Sequence, residues 1–112
     1  MHELAVTEHL LSLALKHARV HNARRITDLH IVIGEMASIV DDSVQFYWDF
    51  ISQGTLAEGA QLHFRRLPAS MTCQRCGQTF SPLETLTCPQ CDSGNVALTQ
   101  GKEFYLESLD ID

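Results

Sequence analysis

The sequence predicts an α+β protein: a small three-stranded sheet with two helices packed on it, plus a zinc-ribbon-like module held by four cysteines. Three observations carry this reading. Two stretches repeat their apolar residues at helical spacing, and three others read as strands. All four cysteines fall into two CxxC pairs, Cys73–Cys76 and Cys88–Cys91. Both pairs lie between the second and third strands, so residues 1–69 and 101–112 form one α+β domain and residues 70–100 an inserted zinc-binding module.

From Leu4 to about His21, apolar Leu10, Leu11, Ala14, Leu15 and Ala18 recur at helical spacing. Lys16, His17, Arg19 and His21 cluster near the end, where cations suit the helix dipole, and Asn22 is the stop signal. Ile26 to Ile33 is the first strand, with Leu29, Ile31 and Ile33 on one face and Gly34 ending it. Asp41, Asp42 and Ser43 offer caps for a second helix, Val44 to Gln53, closed by Gly54. Val44, Tyr47, Trp48 and Ile51 form one stripe of it and Phe46 with Phe50 another, so this aromatic helix is expected to be mostly core. Gln61 to Leu67 is the second strand. Phe104 to Ile111 is the third, alternating Leu109 and Ile111 with Glu107 and Asp110.

The chain has 112 residues and a formal charge of −6. Four thiolates and one Zn²⁺ would take that to about −8. This weighs against nucleic-acid binding, which depends on phosphate neutralisation by Lys and Arg. Glu3 and Glu8 stand where a signal peptide needs a basic region, and no apolar run reaches membrane-span length. A cytoplasmic protein away from membranes is expected.

Cys73-Gln74-Arg75-Cys76-Gly77 and Cys88-Pro89-Gln90-Cys91 present two thiolates each on one short turn, as a tetrahedral zinc ion requires. Gly77 suits the tight backbone of such a turn, and Pro89 fixes part of the other. The short intervening loop, Gln78 to Thr87, predicts a compact pair of knuckles. Two disulfides would need an oxidising compartment, and a redox dithiol would be a single CxxC near a βαβ pattern. Four thiolates leave no open position, so the zinc is structural.

Met1-His2-Glu3 is the other informative stretch. A free α-amine, the His2 imidazole and backbone amide nitrogens can close chelate rings around Ni²⁺ or Cu²⁺, which favour tetragonal nitrogen donors. The alternative is a frayed terminus with an exposed His, and from these residues alone it is the stronger. A zinc-protease HExxH motif fails at Val6. His17 and His21 sit four apart on one helix face, though exposed cationic residues near a helix end are the commoner explanation. His30 and His63 read as sheet-face residues. There is no P-loop at Gly101-Lys102 and no nucleophile elbow, and all four cysteines are assigned to zinc. Nothing here supports an enzyme.

Taken together, Met1-His2-Glu3-Leu4, Ile33-Gly34-Glu35 at a strand end, Ala57-Glu58-Gly59 before a strand, and CxxC–CPxC followed by an acidic final strand resemble the HypA/HybF family. The resemblance covers the whole chain. The initial MHE is its specific part, since a double CxxC is shared with very many zinc proteins. It implies a nickel metallochaperone for hydrogenase maturation, with Ni²⁺ bound at the N-terminus. His2 would be indispensable, with the amine and backbone nitrogens of Met1, His2 and Glu3 as companions. It implies structural zinc on Cys73, Cys76, Cys88 and Cys91. The implied partners are a HypB-type GTPase and the NiFe-hydrogenase large-subunit precursor; some relatives also serve urease. Family members occur as monomers or weak dimers. The competing reading is a zinc-ribbon adaptor that bridges proteins and binds no nickel.

Overall fold

A computed structural model describes residues 2–112, except the side chain of His2. The chain forms two compact units. The first comprises Met1–Val32, Ser38–Arg65 and Phe104–Asp112, and the second Ile33–Ala37 and Arg66–Glu103.

In the first unit, α1 (His2–Val20) starts two residues earlier than the apolar spacing predicts. Its core stripe is Leu10, Ala14 and Ala18, all buried. The helix stops as Asn22 predicts: its φ of 53° is left-handed, its N–H reaches the Arg19 carbonyl, and the Ala23 N–H reaches Ala18. This is a Schellman cap, which satisfies carbonyls that the helix leaves open.

β1 (Ile26–Gly34) carries Leu29, Ile31 and Ile33, which are fully buried. α2 (Asp41–Ile51) packs against α1 through buried Val44 and Trp48. Its other stripe departs from expectation. Phe46 and Phe50 are 59 % and 66 % exposed and meet edge to face on the surface. The two stripes lie nearly opposite one another on the helix, and only one can face α1. The expected caps also differ. The N-cap position is Val40 and makes no side-chain cap; Asp41 and Asp42 occupy the first turn, where negative charge suits the helix dipole.

β2 (Gln61–Leu67) returns beside β1 in the same direction. His63 early in β2 meets Asp28 early in β1, whereas Leu67 at its end accepts the Glu35 N–H. The last strand, labelled β6 (Phe104–Ile111), lies on the other side of β1, giving the order β2-β1-β6. Arg24 and Arg25 bond Asp112 at one end of β1 and Gly34 bonds Glu103 at the other, so β6 runs antiparallel to it.

The second unit has a sheet of its own, which the sequence reading did not include. β3 (Ser70–Cys73) pairs antiparallel with β4 (Thr79–Phe80) on one side and β5 (Val96–Gln100) on the other. Its base is a backbone crossing at two glycines. Gly34 lies so close to Gly101 that a Cβ there would fall 2.1 Å from the Gly101 carbonyl oxygen. The Glu35 carboxylate accepts the Ala69 N–H at 2.8 Å, and the Glu103 carboxylate accepts the Gly101 N–H at 2.7 Å.

Candidate metal centre

The two CxxC turns are built alike. Cys73 ends β3, and its sulfur accepts the N–H groups of Arg75 and Cys76, each at 3.4 Å. Cys88 does the same with Gln90 and Cys91, again at 3.4 Å. Behind each turn the first cysteine's carbonyl accepts an N–H four residues on, from Gly77 and from Asp92. Both of those residues are left-handed, with φ of 81° and 64°. Two knuckles therefore face each other with the same geometry, as the short intervening loop predicts.

Their sulfurs converge. Cys73 Sγ lies 3.6 Å from Cys91 Sγ and Cys76 Sγ 3.5 Å from Cys88 Sγ, and all four fall within 4.8 Å of one another. A disulfide would hold its sulfurs at about 2.05 Å. Four ligands ~2.3 Å from one tetrahedral ion stand ~3.8 Å apart, close to the contacts found. The cluster can therefore hold one metal ion. Cys73 and Cys88 are buried while Cys76 is exposed, so one side of the site opens to solvent.

As thiols, the four cysteines share their protons unevenly. The Cys73 thiol is drawn down to about 6, first by the Cys76 N–H and then by the Arg75 N–H, against burial. Cys76 goes up to about 12: the Gln78 backbone lowers it, but the Cys88 sulfur and burial together raise it more. A bound cation inverts this logic and holds all four as thiolates.

The expected nickel site involves Met1, His2 and Glu3. Met1 and the His2 side chain lie outside the described residues. The backbone is helical from His2, which puts the His2 and Glu3 amides in the first turn, where N–H groups have no intrahelical acceptor. The Glu3 carboxylate accepts the Val40 N–H at 3.3 Å, which sets the start of α1 beside the acidic first turn of α2. That neighbourhood escaped sequence reasoning, since 37 positions separate the two residues.

The other histidines do not converge on a metal. His17 on α1 and His21 just past its end are exposed, and the only cluster of three or more metal-binding side chains among the described residues is the cysteine set. His30 and His63 stack on the outer face of the first sheet, with ring centroids 4.9 Å apart. Each bonds an aspartate, His30 to Asp110 at 2.9 Å and His63 to Asp28 at 2.7 Å.

The model of a family described as "Hydrogenase/urease nickel incorporation, metallochaperone, hypA" matches residues 1–111. The chain belongs to the HypA family. A hydrogenase maturation factor HypA of Dehalococcoides mccartyi is 44 % identical over 113 aligned positions, covering 100 % of this chain and 95 % of that one. One from Caldanaerobacter subterraneus is 38 % identical, with both chains covered in full. The solution structure of a HypA protein is similar at a TM-score of 0.79 and 29 % identity, covering 99 % of this chain and 96 % of that one. The Helicobacter pylori Ni metallochaperone HypA gives 0.71 and 27 %, covering 97 % and 96 %. Family and fold are thus those of HypA, a nickel-incorporation family. No helix among the described residues is long and apolar enough to cross a membrane.

Proposed function

We propose that this chain is a nickel metallochaperone that binds Ni²⁺ at its N-terminus and delivers it to the NiFe-hydrogenase large-subunit precursor. It does so in the cytoplasm with a HypB-type GTPase. The observation that carries this reading is the family match over residues 1–111, which includes the Met1-His2-Glu3 terminus.

The chemistry supports it. The amine, the His2 imidazole and the His2 and Glu3 amides form a nitrogen-rich set suited to Ni²⁺ in tetragonal geometry, while the cysteine set suits a zinc tetrahedron. One chain thereby keeps two metals apart by donor type. Zn²⁺ on Cys73, Cys76, Cys88 and Cys91 holds the module at residues 70–100 and takes no part in catalysis. Amide and imidazole ligands must lose protons to bind and regain them on release.

The experiment is equilibrium dialysis of Ni²⁺ against zinc-loaded protein, with a native N-terminus and with a Gly-Ser extension ahead of Met1. The extension moves the amine away from His2 and leaves every cysteine in place. Loss of nickel with zinc retained is expected; unchanged nickel binding would sink the terminal site. A zinc-ribbon adaptor, the competing reading, would bind no nickel in either form.

A further inference from the structure

The first sheet ends in a strand with nothing beside it. β6 is the outer strand in the order β2-β1-β6, and no strand among the described residues pairs with its free side. Asp112 directs its N–H to Arg25 and its carbonyl to the Arg24 N–H, and the Asp110 carbonyl accepts the Thr27 hydroxyl, all on the β1 side. By strand alternation Leu109 and Ile111 turn their peptide groups outward.

Beside that edge runs a groove whose other wall is α1. A cavity of about 340 Å³ is lined by His17, His21, Leu106, Leu109 and Ile111. A second, of about 180 Å³, is lined in part by His9, Leu13, Phe104 and the same Leu106. His9, Leu13 and His17 follow one another at four-residue steps along one face of α1, and His21, one residue past its end, bonds its N–H to the His17 carbonyl.

Glu107 also lines the larger cavity. The acids of β6 and its end are already engaged: Glu107 by Arg65 at 2.7 Å, Asp110 by His30 at 2.9 Å, and Asp112 by Arg25 at 2.7 Å. On the helix wall, the side chains of His9, His17 and His21 make no hydrogen bond or ion pair among the described residues. Lys16 and Arg19 add cationic charge to the same end of α1.

From this arrangement we infer that the β6 edge docks an extended segment of a partner protein as a fourth strand of the sheet, with apolar and acidic residues taking turns along the face that looks into the groove. Its backbone would bond Leu109 and Ile111, its apolar side chains would cover Leu106, Leu109 and Ile111, and its carboxylates would meet the imidazoles of α1. Strand addition of this kind draws affinity from main-chain bonds and specificity from side-chain pockets. A second copy's β6 is a poorer occupant, because its acids are held by its own Arg65, His30 and Arg25. The surface shares no residue with either metal site, and the proposal does not rest on nickel binding.

The test uses the full zinc-loaded chain and two capped octapeptides with threonine at every second position, the positions between carrying valine and glutamate in turn in one peptide and valine and lysine in turn in the other. Binding is read by fluorescence anisotropy, and the docking edge by amide hydrogen exchange. The glutamate peptide is expected to slow exchange at Leu109 and Ile111 and to bind at least about tenfold tighter than the lysine peptide. Leu109→Pro removes an outward N–H and spares the β1 ladder, and should weaken the glutamate peptide at least about tenfold. The double variant His17→Glu, His21→Glu changes only exposed residues and should reverse the preference between peptides; it decides the matter if Leu109→Pro does not fold. Equal affinity for both peptides, or no loss in Leu109→Pro, overturns the inference. So does self-association that protects the same amides without peptide, which would give the edge to a second copy.

Discussion

Gly77 and Asp92 occupy the same left-handed position behind the two cysteine knuckles, yet only one of them is a glycine. An L-residue there meets its own carbonyl, at a cost of about 1–2 kcal/mol that Asp and Asn lower by local hydrogen bonding. Asp92→Gly should therefore leave stability unchanged or raise it by up to about 1 kcal/mol, and Gly77→Ala should lower it by about 1 kcal/mol. Urea unfolding of the zinc-loaded protein measures both. Gly34 is constrained differently. Its backbone angle is ordinary, but an added Cβ would meet the Gly101 carbonyl, main chain that cannot swing away. Gly34→Ala should cost about 3 kcal/mol or more. Gly77 was legible in the sequence because glycine after a CxxC has a local reason. The Gly34–Gly101 crossing was not, because a close approach between residues far apart in the chain leaves no local pattern.

At the scale of elements, period and punctuation read well and burial less so. Asn22, Gly54 and the alternation of Leu29, Ile31 and Ile33 put α1, α2 and β1 within a few residues of their observed ends. The exposed Phe46 and Phe50 were missed because aromatic content says how much surface an element can bury, not what lies opposite to cover it. β3 to β5 were missed because short strands, one of two residues, carry too little alternation to register. The first sheet also carries an acid-sensitive contact. The His63 hydrogen bond, and then that of Thr27, hold the Asp28 carboxyl below its usual range. A carboxyl depressed in the folded state adds stability that is present above its unfolded value and is lost as pH falls through the folded one. Wild type should therefore lose stability below about pH 4 more steeply than Asp28→Asn, measured by urea midpoints at matched zinc content.

For the whole molecule, the division into two units predicts how it responds to metal removal. Both helices lie in the first unit and all four cysteines in the second. Structural zinc in small modules contributes about 10–16 kcal/mol to folding. Stripping zinc with a chelator should therefore erase amide protection in β3, β4 and β5 while the helical circular dichroism signal persists. Loss of both together would contradict two units of separate stability. The double CxxC has a chemistry that spacing alone reveals, whereas Met1-His2-Glu3 gains meaning only beside the rest of a family pattern. Imidazole and amide ligation also fixes a direction with pH, so nickel affinity should rise from about pH 6 to about pH 8. Ni²⁺ titration calorimetry on zinc-loaded, untagged protein beside His2→Ala decides whether His2 holds the nickel. Binding near one Ni²⁺ per chain, abolished by the substitution with zinc retained, is the predicted result; equal binding in both proteins would contradict the account and move the nickel site elsewhere.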